Sequence, residues 1–143
     1  MPTPSMEDYL EKIYQISEKK GYARVSDVAQ ALGLQLPSVS RMMQKMGDQE
    51  LINYEKYGGI VLTQRGKKLG EFLHNRHQVL EKFLELLGVE DSDIIYRDVE
   101  GMEHHISKET LYQIEQFVHF AELNPQWRAE FHAFLNQQRK KEG

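Results

Sequence analysis

Apolar residues recur at helical spacing along most of the chain and give way to short β-prone runs only once, between residues 51 and 62. Near the start, Met6, Leu10, Ile13 and Tyr14 fall on one side of a helix predicted over about 6–19, with Ser5 as its N-cap and Gly21 as its stop. Ser26 then caps a short helix from Asp27 to Leu32 that Gly33 ends. Pro37 opens another, running through Val39, Met42, Met43 and Met46 to Gly47. The runs Leu51–Tyr57 and Ile60–Leu62, parted by Gly58 and Gly59, read as a β-hairpin. Thr63 caps a long helix of about 63–87, whose stripe is Leu69, Phe72, Leu73, Leu80, Phe83, Leu84 and Leu87. Further helices are expected over about 91–105, 107–123 and 125–140, the last two carrying Ile114, Phe117 and Val118, then Trp127, Phe131, Phe134 and Leu135.

The order helix, short helix, turn, helix, hairpin is that of a winged helix-turn-helix. The expected fold is mainly α: an N-terminal winged helix-turn-helix with a two-stranded wing over 1–70, and an all-α dimerisation domain over 71–143, joined by the long helix. In such a unit the second short helix enters the major groove, so its non-core side chains must reach base edges and phosphates. Ser38, Ser40, Arg41, Gln44 and Lys45 have the right chemistry, since Gln44 can pair with adenine and the two serines can donate to phosphates near the helix N-terminus. Lys56 and Tyr57 at the wing, with Arg65 at the start of the long helix, are further contact candidates. The plainer alternative is that these charges form a solvated face, in a winged helix that serves only protein contacts.

Charge sharpens this picture. The net charge is −4, but residues 1–76 hold 11 Lys and Arg against 9 Asp and Glu, a balance of +2, while residues 77–143 hold 7 against 13, or −6. A half that can approach phosphate is joined to one that repels it. Because the positive balance is small, two subunits reading a palindrome on double-stranded DNA are expected. The chain has 143 residues and no cysteine, which excludes thiolate zinc sites and cysteine nucleophiles. No run approaches the roughly 20 apolar residues of a membrane span, and the N-terminus lacks a basic stretch followed by an apolar one. A soluble, cytoplasmic protein with no membrane partner is expected.

Any metal site must therefore use oxygen and nitrogen. Glu100, Glu103 and His104 stand at i, i+3 and i+4, within a 100° arc of one predicted helix. On the first helix Asp8 and Glu11 are also three apart and project away from the apolar stripe, and His77 lies on the rim of the stripe of the long helix. Four carboxylates and two imidazoles suit manganese, iron or zinc, and the oxygen-rich mixture leans towards manganese. Each residue also has a plainer role: Asp8 can complete a capping box with Ser5 or pair with Lys12, Glu100 and Glu103 can be solvated charges, and a rim histidine is often structural. His74, His105, His119 and His132 are read as bystanders. Catalysis has little to stand on, since the di-iron spacing Glu-x-x-His occurs once, at Glu71 and His74, and His-Glu-x-x-His is absent.

The stretches Pro4–Tyr14, Gly21–Asp27, Tyr54–Tyr57 and Asp98–His105 resemble the manganese transport regulators, the short branch of the diphtheria toxin repressor family, almost from end to end. The resemblance implies a homodimeric, manganese-responsive transcriptional repressor of manganese uptake genes. It also implies two Mn2+ ions per subunit, held by the residues that match Asp8, Glu11, His77, Glu100, Glu103 and His104. The iron-sensing branch carries methionine in place of Asp8 and cysteine in place of Glu103, and often adds an SH3-like domain, for which no residues are left after about position 140. An iron- or zinc-responsive regulator of the same fold, or a metal-independent winged-helix regulator, is the alternative. The recognition helix Ser38–Gln44 differs locally, so the resemblance does not supply the operator sequence.

Overall fold

The structure, a computed structural model, describes residues 2–55 and 59–143. Among them run α1 (Pro4–Lys20), α2 (Val25–Leu32), α3 (Leu36–Asp48), β1 (Ile52–Tyr54), β2 (Ile60–Leu62), α4 (Gln64–Leu87), α5 (Ser92–Met102), α6 (Lys108–Leu123) and α7 (Pro125–Glu142). The chain divides into two units, Met1–Asn75 and Arg76–Gly143, with the boundary inside α4.

In the first unit, α1 begins two residues earlier than its apolar stripe suggests. Thr3, not Ser5, is the N-cap: its Oγ1 accepts from the Met6 amide at 3.2 Å. Pro4 causes the shift, because its fixed φ suits the first helical position, where no amide proton is needed. Ser26 likewise sits inside α2; the Arg24 amide donates to the Asp27 carboxylate at 3.2 Å and so fixes the helix start. Gly33 closes α2 in the left-handed region, with φ 67°, and the Leu34 amide returns to the Ala29 carbonyl at 3.0 Å.

Three helices then bury one face each around a common core. Leu10, Ile13, Val28, Val39, Met43 and Met46 are all sealed from solvent, joined by Leu51, Ile60 and Leu73. Truncating any of the larger ones to alanine costs about 2–5 kcal/mol by lost transfer energy and cavity formation.

The wing is antiparallel, with Ile52 opposite Leu62 and Tyr54 opposite Ile60. Strand β1 ends at Tyr54, and the far end of the expected run, at Lys56 and Tyr57, lies outside the described residues. A third segment pairs with the wing: Ala23 and Ile60 exchange amide-to-carbonyl bonds of 3.0 and 2.6 Å. A single bridge of this kind is too brief to leave a β pattern in the sequence.

The start of α4 is clamped to the end of α3. Thr63 Oγ1 donates to the Glu50 carbonyl at 2.6 Å and accepts from the Gly66 amide at 3.0 Å, while the Thr63 amide donates to the Leu51 carbonyl at 3.1 Å. Gly66 is required by this approach, since a Cβ there would meet the Leu51 carbonyl oxygen at 1.9 Å.

In the second unit, α4 ends in a Schellman motif: Gly88, with φ 102°, donates to the Glu85 carbonyl, and Val89 donates to Leu84. Val99, Leu111, Val118 and Ala121 are buried. An aromatic chain links α4, α6 and α7, from Phe83 through Phe117 and Trp127 to Phe131, with ring centroids 5.9, 5.3 and 5.6 Å apart. Such pairs add about 0.5–1.5 kcal/mol each beyond area burial. Helix α7 has no fully buried residue, so this aromatic seam does much to attach it. No helix among the described residues is long and apolar enough to cross a membrane.

Candidate metal centre and nucleic-acid interface

Helix α3 presents a mixed face. Val39, Met43 and Met46 point into the core, which by the 3.6-residue period turns Arg41, Gln44 and Lys45 outward. Arg41 and Gln44 are exposed, and Lys45 lies at the exposed end of the helix. Ser38 and Ser40 stand in its first turn and a half. Arg41 Nε reaches back to the Pro37 carbonyl at 3.4 Å, a weak bond that leaves the guanidinium at the surface. A recess beside Gln44, lined by Met43, Gly47, Asp48 and Tyr54, lies between α3 and the wing.

Arg65 has a second occupation. Its Nη1 donates to the Gln49 carbonyl at 2.7 Å, capping the end of α3 while the side chain stays exposed. Lys56 and Tyr57 lie outside the described residues. Asp8 and Glu11 stand three residues apart on α1 of the first unit, both half-buried.

The second unit gathers a different chemistry. Glu103 is 1 % exposed, although a carboxylate taken out of water is costly unless opposite charge or hydrogen bonds compensate it. Its two oxygens face two imidazoles: Oε2 lies 3.0 Å from His77 Nδ1, and Oε1 lies 3.6 Å from His104 Nε2. His77 also brings its Nε2 to 2.7 Å from Glu81 Oε1, one turn further along α4. Glu100 is half-buried on α5, one turn before Glu103.

The helical arc expected for Glu100, Glu103 and His104 is corrected by the structure. Helix α5 ends at Met102, Glu103 is its C-cap, and His104 belongs to the following turn, where the His105 amide bonds to the Met102 carbonyl at 3.1 Å. Gly101 weakens the last turn, and Ser107 starts a new helix, its Oγ accepting from the Thr110 amide at 3.1 Å. Glu103 keeps helical φ and ψ, −63° and −29°, so it still projects near the direction the spacing indicates.

Glu81 is a member of this cluster that the sequence alone does not single out. Its i+4 offset from His77 is the available signal, hidden because the same spacing serves ordinary surface pairs. In this unit Leu111 and Val118 are buried and Phe117 is spent on the aromatic seam, while Tyr112, Phe120, Leu123 and Phe134 are exposed.

Oxygen and nitrogen donors around one buried carboxylate fit a divalent cation of the manganese, iron or zinc class. His77, Glu103 and His104 are residues of this unit that could hold it.

Comparison with known proteins agrees with both halves. Residues 1–60 match the iron dependent repressor, N-terminal DNA binding domain, and residues 63–131 match the iron dependent repressor, metal binding and dimerisation domain. Among solved structures, the chain is similar to the manganese regulator SloR, at 29% identity and a TM-score of 0.71, over 83% of this chain and 55% of that one. The metal-dependent transcriptional regulator MtsR is 31% identical, with a TM-score of 0.73 and the same coverage. ScaR with bound Zn2+ is 29% identical, with a TM-score of 0.67, again over 83% of this chain and 55% of that one. The chain thus spans about half the length of these relatives. Matched by both domain models across nearly all its residues, the chain belongs to the iron dependent repressor family.

Proposed function

We propose that this protein is a manganese-responsive transcriptional repressor that binds a palindromic operator as a homodimer when metal-loaded. The observation that carries the reading is the buried Glu103 carboxylate held between the imidazoles of His77 and His104. Asp8, Glu11 and Glu100 would complete a donor set of four carboxylates and two imidazoles, enough for two Mn2+ ions per subunit. A donor set without thiolate favours manganese over softer cations. The relatives, among them a manganese regulator and a protein with bound Zn2+, support a divalent cation.

Asp8 and Glu11 belong to the DNA-binding unit and the other four ligands to the second unit. Bound metal supplies positive charge that offsets repulsion among the carboxylates. The side chains that close on it would then favour the conformations of the dimer that engage DNA. On α3, Gln44 and Arg41 would read base edges, and Lys45, Ser38 and Ser40 would hold phosphates, with Arg65, Lys56 and Tyr57 flanking. The exposed Tyr112, Phe120, Leu123 and Phe134 are apolar residues available for a dimer face. Such a regulator would work in the cytoplasm.

A gel shift with promoter DNA from a manganese uptake gene, titrated separately with manganese, iron and zinc, tests the reading. Retardation that appears at the lowest concentration with manganese supports it. A stronger response to iron or zinc would move the chain to another sensing class, and retardation without metal would reject metal control.

A further inference from the structure

We propose that Glu81 is a positioning residue for the metal centre: it accepts the Nε2 proton of His77 and thereby turns Nδ1, with its lone pair, towards the cation. The inference rests on the proposed metal-binding reading and adds to it a residue outside the six-ligand set.

The geometry is specific. His77 is wedged between two carboxylates, with Nδ1 3.0 Å from Glu103 and Nε2 2.7 Å from Glu81. A neutral imidazole carries one N–H and one lone pair, so only one of its nitrogens can bind metal, and the other must donate. The two sides are not equivalent. The Glu103 side chain is 2 % exposed and its second oxygen faces His104, so three donors converge there. The Glu81 side chain is 40% exposed and stands one turn along the same helix as His77. The cation therefore belongs on the Nδ1 side. The N–H belongs on Nε2, where Glu81 receives it in the carboxylate–histidine–metal arrangement that fixes tautomer and ring orientation.

An ordinary i, i+4 surface pair makes a different prediction, because its loss changes little beyond helix stability. Full-length wild type, Glu81→Ala and Glu81→Gln should be compared by zinc and manganese titration calorimetry. Nitrogen–proton correlation spectra of the diamagnetic zinc-loaded histidines report the tautomer. For wild type, the proton of His77 is expected on Nε2 and the metal-induced shift on Nδ1. Glu81→Ala should weaken metal binding about 10- to 100-fold with the number of bound ions unchanged. Glu81→Gln, whose carbonyl still accepts, should restore most of the affinity.

Three results would overturn the assignment: metal on His77 Nε2, Glu81→Ala affinity equal to wild type, or loss of one bound ion in Glu81→Ala, which would make Glu81 a ligand. Wild-type spectra in which zinc leaves His77 unshifted would instead bring down the metal-site reading itself. The two failures are therefore distinguishable.

Discussion

The Oε2 atom of Glu103 stands 3.0 Å from Nδ1 of His77, across 26 positions of sequence and from a residue that is almost wholly buried. A carboxylate sealed in this way is either a structural partner of the imidazole or half of a cation site. Substitution separates the two. Glu103→Gln keeps the shape and a hydrogen bond to His77 but removes the charge. Manganese affinity should fall by more than the roughly 10- to 100-fold typical of an outer-shell residue. Glu11→Lys, which places a cation on the half-buried flank of α1, should abolish the metal response while the thermal melt without metal stays cooperative. Titration calorimetry and circular dichroism on the same samples check both variants.

Gly66 makes an opposite kind of prediction. Glycine inside an exposed helix ordinarily costs about 1 kcal/mol relative to alanine, so Gly66→Ala would be expected to stabilise. Here the added Cβ would lie 1.9 Å from the Leu51 carbonyl oxygen, a backbone atom fixed by the Thr63 clamp. Gly66→Ala should therefore destabilise by about 1–3 kcal/mol, the usual range for overpacking. Urea unfolding reads it as a lower midpoint at unchanged slope.

On α3, Gln44 and Lys45 divide specificity from affinity. Gln44→Ala should cost about 1–3 kcal/mol and relax preference at one base position. Lys45→Ala should weaken binding to all sequences alike and lower the salt slope by about one unit. Fluorescence anisotropy over a series of salt concentrations, with single-base operator variants, distinguishes them.

Tyr9 gives a dependence on alkaline pH. Burial raises its hydroxyl above the ordinary value of 10.0, because the phenolate is disfavoured out of water. The folded state then holds this proton more tightly than the unfolded state does. The associated stability is complete below pH 10.0 and is lost as pH rises through the higher folded value. Tyr9→Phe should show a shallower fall in urea midpoint than wild type above about pH 10, with no difference in slope near neutrality.

Most of the helices are legible in the sequence, because α1, α3 and α4 carry their buried residues at regular spacing. Their starts are not: Pro4 moves the first cap to Thr3, and the Asp27 carboxylate, not Ser26, fixes the start of α2. The Ala23–Ile60 bridge is invisible because one residue has no period. Of the site, the chemical types of His77, Glu103 and His104 are readable. Glu103 as a helix cap is not, since that depends on where α5 stops and α6 begins. Arg65 reads as a phosphate contact from charge alone, and only the fold shows it capping Gln49.

Metal control of DNA binding requires that the two binding events be coupled, and linkage makes that coupling reciprocal. Manganese affinity measured by calorimetry with and without saturating operator DNA tests this most directly. Binding should be tighter in the presence of operator by about 5- to 150-fold, corresponding to roughly 1–3 kcal/mol. Equal affinities in the two titrations would contradict it.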